Sequence, residues 1–346
     1  MTNSGHRVVE ASSLPRALIE SARSLRDNGE WTLPIADPLS IGSAFGTHPR
    51  RTLEMLGVQI RIDDPRARLM AIESRPVHLD FAFANYFWTL SGTSDASPVL
   101  VYNPKGASLV TPQNQFAGAM GARISAAYGE PSAIRVVVDA LRRDPASRRA
   151  VMPIFLTGDL LDPPLDAPCA IACQFLLRNG KIHAITYMRS QSLVGLLYYD
   201  LFLFSMIQET VAVELGCDVG TYIHSCGSLH IYEDEYDRLT ELADEELPSV
   251  ALNMDPMIES PLSRGDILKA EEIERECIVG GNELGTTIRL GAIPNYWLEI
   301  LAVMSYELRT SMFGGQASGL RAVRDILEHR YGAFLDLNRR YSEAAV

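Results

Sequence analysis

An α+β architecture follows from three features of the 346-residue chain. Its middle carries four β-type runs, and Asn179-Gly180, a dipeptide suited to a two-residue hairpin turn, joins two of them. Between the third and fourth runs lies 196–215, apolar on nearly every side, which reads as a buried central helix. Helical periodicity prevails toward both ends.

Taken in order, residues 14–28 place Leu14, Leu18, Ile19 and Ala22 near helical spacing. The Gly-, Pro- and Ser-rich stretch 29–50 reads as loop. Residues 52–62 alternate as a strand does, with a bend expected at Gly57. A helix is expected over 78–92, stopped by Gly92. SPVLVY (97–102) reads as a short strand within a loop, and 131–143 as a helix with Pro131 near its start. The four central strands are expected at 149–156, 171–178, 181–189 and 219–225, and the central helix is expected to begin just after Asp200. The end of the chain, 293–343, reads as two or more helices. With no repeat and no break in composition, the expectation is one domain over 1–346.

Hydrophobic residues make up 47% of the chain, enough for a core, and the formal net charge is −12. Such an acidic surface argues against binding nucleic-acid backbone, although a few local arginines can still hold a small anion. The five cysteines are odd in number and irregularly spaced, which points to reduced thiols rather than a disulfide framework. Cys169 and Cys173 lack the further ligands that a zinc site needs, so no metal is expected. The N-terminus has no signal-peptide core, and the most apolar run carries Asp200 and is too short to span a bilayer. A cytoplasmic protein outside membranes is the expectation.

The residues that offer chemistry concentrate between Asp166 and Tyr232. Cys169 follows Pro168 at the start of a strand, and is either a nucleophile activated by nearby cations or a buried structural thiol. Arg189-Ser190 offers a phosphate clamp or a surface ion pair. Ser147-Arg148-Arg149 places two arginines where a loop enters a strand. Asp200 is costly in so apolar a stretch unless it is paired; it either caps the helix or accepts hydrogen bonds from a ligand. His230 and Tyr232 alternate on a strand and share a face, where they can bind a sugar or complete a core.

Together, Pro168-Cys169-Ala170, Gln174-Phe175, Tyr187-Met188-Arg189-Ser190, Asp200 and His230-Ile231-Tyr232 resemble the active-site core of the folate-dependent thymidylate synthase family, which reads roughly PCH…QF…Y-x-R-S…N…H-x-Y. The likeness is strong over 147–232, weaker over 50–125 and absent beyond about 240. It implies a thymidylate synthase-like fold: a large mixed sheet, a buried central helix and flanking helices. The core would cover about 45–240, and a helical extension about 260–346. Cys169 would add to C6 of a pyrimidine nucleoside monophosphate. Arg189 and Ser190 would hold its phosphate, with Arg50 or Arg51 as a further ligand. His230 and Tyr232 would bind the ribose, and Gln174 would contact the substrate. Arg148 and Arg149 would reach into the site of a second subunit, which implies a homodimer. The one-carbon donor would be 5,10-methylenetetrahydrofolate.

The departures narrow the expected reaction. Asp200 stands where thymidylate synthases carry the Asn that reads uracil, as in the (d)CMP hydroxymethylase branch. A carboxylate accepts from the N4–H of cytosine but opposes O4 of uracil, at about 1–3 kcal/mol for a misfitted buried polar contact. Ala170 replaces the family's His. Asn85 aligns with the catalytic Glu and cannot relay a proton at neutral pH, leaving Asp80 on the same segment as another acid. Ser192 aligns with an Asp that fixes the folate, and the family's Trp residues are missing from 101–106. The resemblance thus implies a C5-hydroxymethylase of CMP or dCMP, in which water adds after loss of the folate. Its rivals are a C5-methyltransferase on (d)CMP or dUMP and a nucleotide-binding homologue without catalysis.

Overall fold

In the computed structural model a mixed eight-stranded sheet runs through the molecule, in the order β1-β3-β8-β6-β5-β4, with β2 beside β3 and β7 beside β8. The structure describes residues 7–32, 51–70, 72, 74–126, 132–161, 166–246, 253–281, 293–314, 327, 331 and 335. The strands are β1 (Val8–Ala11), β2 (Glu30–Thr32), β3 (Thr52–Ile62), β4 (Val151–Pro153), β5 (Ala170–Arg178), β6 (Lys181–Met188), β7 (Gln191–Ser192) and β8 (Asp218–Tyr232). The helices are α1 (Leu14–Asn28), α2 (Leu79–Ser91), α3 (Ser97–Leu100), α4 (Met120–Ala126), α5 (Ala133–Arg143), α6 (Gly158–Leu161), α7 (Leu197–Leu215), α8 (Tyr236–Asp244), α9 (Gly265–Val279) and α10 (Asn295–Phe313).

Local signals account for several boundaries. Ser13 accepts from Arg16 N–H at the start of α1, and the apolar stripe from Leu14 to Leu25 is buried. Gly92 ends α2 in the left-handed region, at φ 73°. Asn179 and Gly180, with φ of 51° and 71°, form the turn between β5 and β6.

Under the sheet lies α7, buried along most of its length. Gln208 Nε2 donates to Ile182 O at 2.8 Å and Gly220 O at 3.0 Å, fastening the helix to β6 and β8. Glu209 accepts from Arg66 at 2.7 Å and from the fully buried Arg68 at 2.6 Å. Opposite charge outweighs burial there and holds the Glu209 carboxyl below its ordinary range.

A twist in the sheet sets up the site. Along β3 the buried residues are Leu53 and Met55, then Val58, Ile60 and Ile62, so the buried face changes at Gly57. Gly57 sits at φ 67°, a backbone conformation that favours glycine. Gly227 lies opposite, between the Leu56–Ser228 and Val58–Cys226 pairs. A Cβ on Gly227 would meet Arg189 O at 2.9 Å, so glycine lets β8 pass close to the end of β6.

Several expectations are corrected. Residues 97–100 are helical, because Asp95 Oδ1 accepts from Ser97 N–H at 3.0 Å and Pro98 falls in the first turn. The run 149–156 is strand only over Val151–Pro153. β8 continues to Tyr232. α7 begins before Asp200, whose N–H already donates to Leu196 O at 3.0 Å, so Asp200 is inside the first turn and not the cap. Of the C-terminal part, α9 and α10 are described. Trp297 of α10 stacks on Tyr86 of α2 with ring centroids 6.2 Å apart. The end of the expected C-terminal helices lies outside the described residues, apart from Leu327, Tyr331 and Leu335.

Replacing Glu209 with Ala leaves Arg68 buried without its carboxylate. We expect a loss of about 3–5 kcal/mol in chemical denaturation. A loss below about 1 kcal/mol would show that Arg68 finds another partner.

Candidate active site

Cys169 sits just before β5, half-buried. Its carbonyl accepts from Arg189 N–H at 2.8 Å. The Arg189 guanidinium turns back on the same loop, Nε donating to Pro168 O at 3.0 Å and Nη2 to Ala167 O at 3.0 Å. Two of its five N–H donors are thus spent on holding the loop, and three remain for an anion. Burial pushes the Cys169 thiol up, and the Arg189 charge pulls it down without overcoming burial; Asp200 and Asp166 add to the rise. The expected activation of the thiol by cations is therefore incomplete in the free protein.

Asp200 is the second centre. Its Oδ2 accepts from Gln191 Nε2 at 2.8 Å, and no ion pair joins it to a described cation. Burial pushes its carboxyl up to about 6, against the stabilising amide bond. Behind Gln191 the polar chain continues. Gln191 Oε1 is 2.8 Å from His224 Nε2, and His224 Nδ1 is 2.8 Å from Tyr222 Oη. Tyr222 Oη is 3.0 Å from Thr186 Oγ1, which lies 3.6 Å from Cys173 Sγ. Gln191, His224, Tyr222, Thr186 and Cys173 are all buried.

His230 lies at the far end of β8, paired with Ser192 of β7 and with Glu54 of β3. Its ring meets that of Tyr232 edge-on at 5.5 Å, as residues sharing a strand face should. His230 Nδ1 is buried without a hydrogen-bond partner among the described residues. Burial holds the imidazole below its ordinary pKa, with the Arg189 charge adding to the drop, so it is neutral at pH 7. Arg51 stands beside Tyr232: its carbonyl accepts from Glu233 N–H at 3.0 Å, and its guanidinium lies 4.9 Å from the Trp31 ring centroid. Arg50 lies outside the described residues.

The structure thus gathers Cys169, Arg189, Asp200 and His230, with Ser190 half-buried beside Arg189. Other expected residues stand apart. Gln174 is five residues along β5 from Cys169, about 16 Å at 3.3 Å per residue. Its amide donates to Arg148 O at 2.9 Å, and it lies opposite Val151 of β4. Arg148 and Arg149 are exposed at that edge. Asn85 is half-buried on α2 and makes no side-chain hydrogen bond to a described residue. Asp80 is five residues away, about 140° round the helix, and does not share its face. Asp80 instead meets Glu307 of α10, whose Oε2 accepts from Asp80 N–H at 2.7 Å; burial raises both carboxyls. Ser192 Oγ accepts from Gly195 N–H at 3.2 Å inside its own turn.

Sequence reasoning missed Gln191 and His224. The available signals were the polar residue directly after Arg189-Ser190 and a histidine on the inward parity of β8. It also missed Glu54, which accepts a hydrogen bond from Ser228 beside His230.

With this geometry in hand, the comparisons with known proteins are specific. A family model described as thymidylate synthase matches residues 45–264, beyond the motif-bearing stretch and past residue 240, where the visible resemblance stops. The chain belongs to the thymidylate synthase family. It is 30% identical over 213 residues to a protein named deoxyuridylate hydroxymethyltransferase from Bacillus phage SP01, an alignment covering 58% of this chain and 56% of the relative. The chain therefore matches little more than half of that relative's length. Its fold is similar to that of thermostable thymidylate synthase A from Bacillus subtilis, with a TM-score of 0.55, 18% identity, and coverage of 68% of this chain and 86% of the other. The large mixed sheet with several helices is thus the family's α+β fold. Among the described residues no helix is long and apolar enough to cross a membrane.

Arg189 is the main force lowering the Cys169 pKa. In Arg189→Gln the pH profile of iodoacetamide alkylation, read on the Cys169 peptide by mass spectrometry, should move to higher pH. Each unit of rise lowers the neutral-pH rate about tenfold, because less thiolate is present. An unchanged profile would remove Arg189 from the activation of the thiol.

Proposed function

We propose that this protein is a pyrimidine nucleotide C5-hydroxymethylase acting on CMP or dCMP. The observation that carries this reading is Asp200: a carboxyl raised to about 6, unpaired by any described cation, placed by the central helix near Cys169. Its neutral form presents an acceptor and a donor side by side. That pair matches N4–H and N3 of cytosine. The name of the phage relative supports a hydroxymethyl outcome. The same name specifies deoxyuridylate, which supports a second reading in which the base is uracil.

On this proposal Cys169 Sγ adds to C6, and the proton held between Asp200 and N3 stabilises the electron pair that develops at C5. Arg189, Ser190 and Arg51 bind the phosphate, and His230 Nδ1 and Tyr232 face the sugar. The family's one-carbon donor is methylenetetrahydrofolate. Two positions do not fit the family's pattern: Ser192 has its hydroxyl committed to Gly195, and Asn85 carries no titratable group. Asn85 orients water or substrate by hydrogen bonding rather than by proton transfer. The helices from about 260 belong, on this reading, to the same domain as the core, since α10 packs on α2.

We infer a homodimer from the sheet face turned away from α7. Val151, Gln174 and Tyr187 lie there, with Val151 40% and Tyr187 39% exposed, and Arg148 and Arg149 flank it without an ion pair to a described carboxylate. A second copy covering this face brings both arginines to its partner's site.

Tritium release from C5-tritiated CMP, dCMP and dUMP, with and without methylenetetrahydrofolate, tests the base and the donor. Release from a cytosine nucleotide with a gain of CH₂O is expected, and Cys169→Ala should abolish it while sparing nucleotide binding. Asp200→Asn should move preference toward uracil by about 10- to 100-fold. Release only from dUMP in the unmodified protein would overturn the cytosine assignment.

Mixing inactive Cys169→Ala protein with inactive Arg148→Ala/Arg149→Ala protein should restore about a quarter of wild-type activity, since half of randomly formed dimers contain one intact site. No recovery after subunit exchange would overturn arginine donation across the interface.

A further inference from the structure

Asp200 has two oxygens, and a carboxyl reads cytosine or uracil according to which of them carries the proton. For cytosine, the oxygen facing N3 must donate and the one facing N4 must accept. For uracil the roles reverse, because N3 donates and O4 accepts. A freely ionising carboxyl can adopt either pattern. Discrimination therefore needs a device that fixes the proton on one oxygen.

We propose that Gln191 and His224 are positioning residues that keep Asp200 Oδ2 an acceptor, so that the proton used in base recognition resides on Oδ1. This deepens the proposed function and rests on Asp200 reading the base.

The hydrogen-bond chain carries the proposal. When Asp200 is ionised, Oδ2 accepts, so the atom 2.8 Å away must be the amide nitrogen of Gln191. That orientation turns Gln191 Oε1 toward His224, where Nε2 lies 2.8 Å away and must carry the hydrogen. A neutral imidazole protonated on Nε2 is bare at Nδ1, which accepts from Tyr222 Oη–H at 2.8 Å. The Tyr222 hydrogen is shared with Thr186 Oγ1, which lies 3.0 Å away and itself donates to Cys173 Sγ at 3.6 Å. From Tyr222 through His224 and Gln191 each donor points toward Oδ2, and bonds aligned in this way polarise one another in a low-dielectric interior.

Moving the proton to Oδ2 would break this order. A protonated Oδ2 is a weaker acceptor for the Gln191 amide, and for Gln191 to accept that proton it would have to turn its amide over, His224 would have to shift its hydrogen to Nδ1, and Tyr222 would have to rotate. Gln191, His224, Tyr222 and Thr186 are fully or nearly fully buried, so a lost partner leaves a buried polar group unsatisfied. Protonating Oδ1 requires none of these changes. The groups facing Asp200 do not offer a simpler lock. Cys169 before β5 and Cys226 and Tyr222 of β8 are neutral thiols and a neutral phenol, all held up by burial, and Arg189 at the end of β6 is bound to the Cys169 loop. His224 remains uncharged because burial holds it down to about 3.

Two measurements test the lock. The first uses the unmodified full-length protein without substrate. Long-range ¹H–¹⁵N spectra of the histidine rings, with His224 assigned by His224→Phe, should show hydrogen on Nε2 and none on Nδ1 at both pH 5 and pH 8. A change to the Nδ1–H form or to imidazolium as Asp200 titrates would overturn the proposal. The second is the ratio of kcat/KM between cytosine and uracil nucleotides. Gln191→Met and His224→Phe should each reduce that ratio by about tenfold or more by admitting the disfavoured base. A parallel loss for both bases would mean that the chain only supports the fold. If a variant does not fold, the spectra of the unmodified protein still decide. A wild-type preference for uracil would overturn the cytosine reading, whereas the lock would stand if Nε2–H persisted and the variants lost discrimination against cytosine.

Discussion

A carboxyl without a counter-ion among the described residues, inserted into the central helix, is the constraint around which the site is arranged. The same helix carries a second acidic residue for contrast. Glu209 sits two and a half turns further along, between Arg66 and Arg68, and is held ionised below the ordinary range. Asp200 receives one amide hydrogen bond and is raised to about 6. One helix thus holds one carboxylate fixed in charge and one poised near neutrality. Charged pairs serve structure at the first position, and their absence leaves the second free to exchange a proton.

Such a residue is tolerable only if its surroundings are fully ordered. The first turn of α7 supplies a favourable dipole, and Gln191 supplies the single donor among the described residues. Gln191 is in turn held by β7, a two-residue strand that exists because β8 continues past Gly227 to pair with it. The glycine pair at positions 57 and 227 therefore has a consequence beyond sheet geometry. It permits the close approach that brings Arg189, Ser192 and His230 to one end of the sheet. The clamp of Arg189 on the loop of Cys169 closes the same corner from the other side.

Much of this arrangement is legible in the sequence because it rests on local chemistry. The Asn179-Gly180 turn, the Gly92 stop, the bend at Gly57 and the apolar helix each follow from residues in a short window. The spacing of Cys169, Arg189, Asp200 and His230 exposes the family, and the structure brings these four together. Other features depend on distant partners. Asp200 resembles a helix cap in sequence, yet its hydrogen-bond partner Gln191, and His224 behind it, become its neighbours only when β7 and β8 pair. The sequence leaves the Cys169 thiol open between activation by nearby cations and structural burial; in the structure burial exceeds the effect of Arg189, and burial is a property of the assembled sheet and helix. Arg148 and Arg149 face away from the cluster in a single chain, so their part depends on a surface that one sequence does not display.

The two shifted groups, considered together, define how the site is loaded with protons. Near pH 7 the free protein holds a thiol at Cys169, raised above its ordinary pKa, and a carboxylate at Asp200, whose pKa of about 6 lies below the ambient pH. The proposed addition to C6 needs the opposite distribution, a thiolate and a proton near N3. The total number of protons is the same in both states. Substrate binding therefore has only to move one proton from sulfur to the carboxyl–base pair, with none drawn from or released to solvent. On the proposed function, an anionic phosphate held by Arg189 would also neutralise the charge that lowers the thiol pKa, so early transfer of the proton is not favoured by binding alone. It becomes favourable when N3 can accept it, which cytosine does and N3-protonated uracil does not. On the proposed function, proton inventory and base recognition are in this way the same event at Asp200.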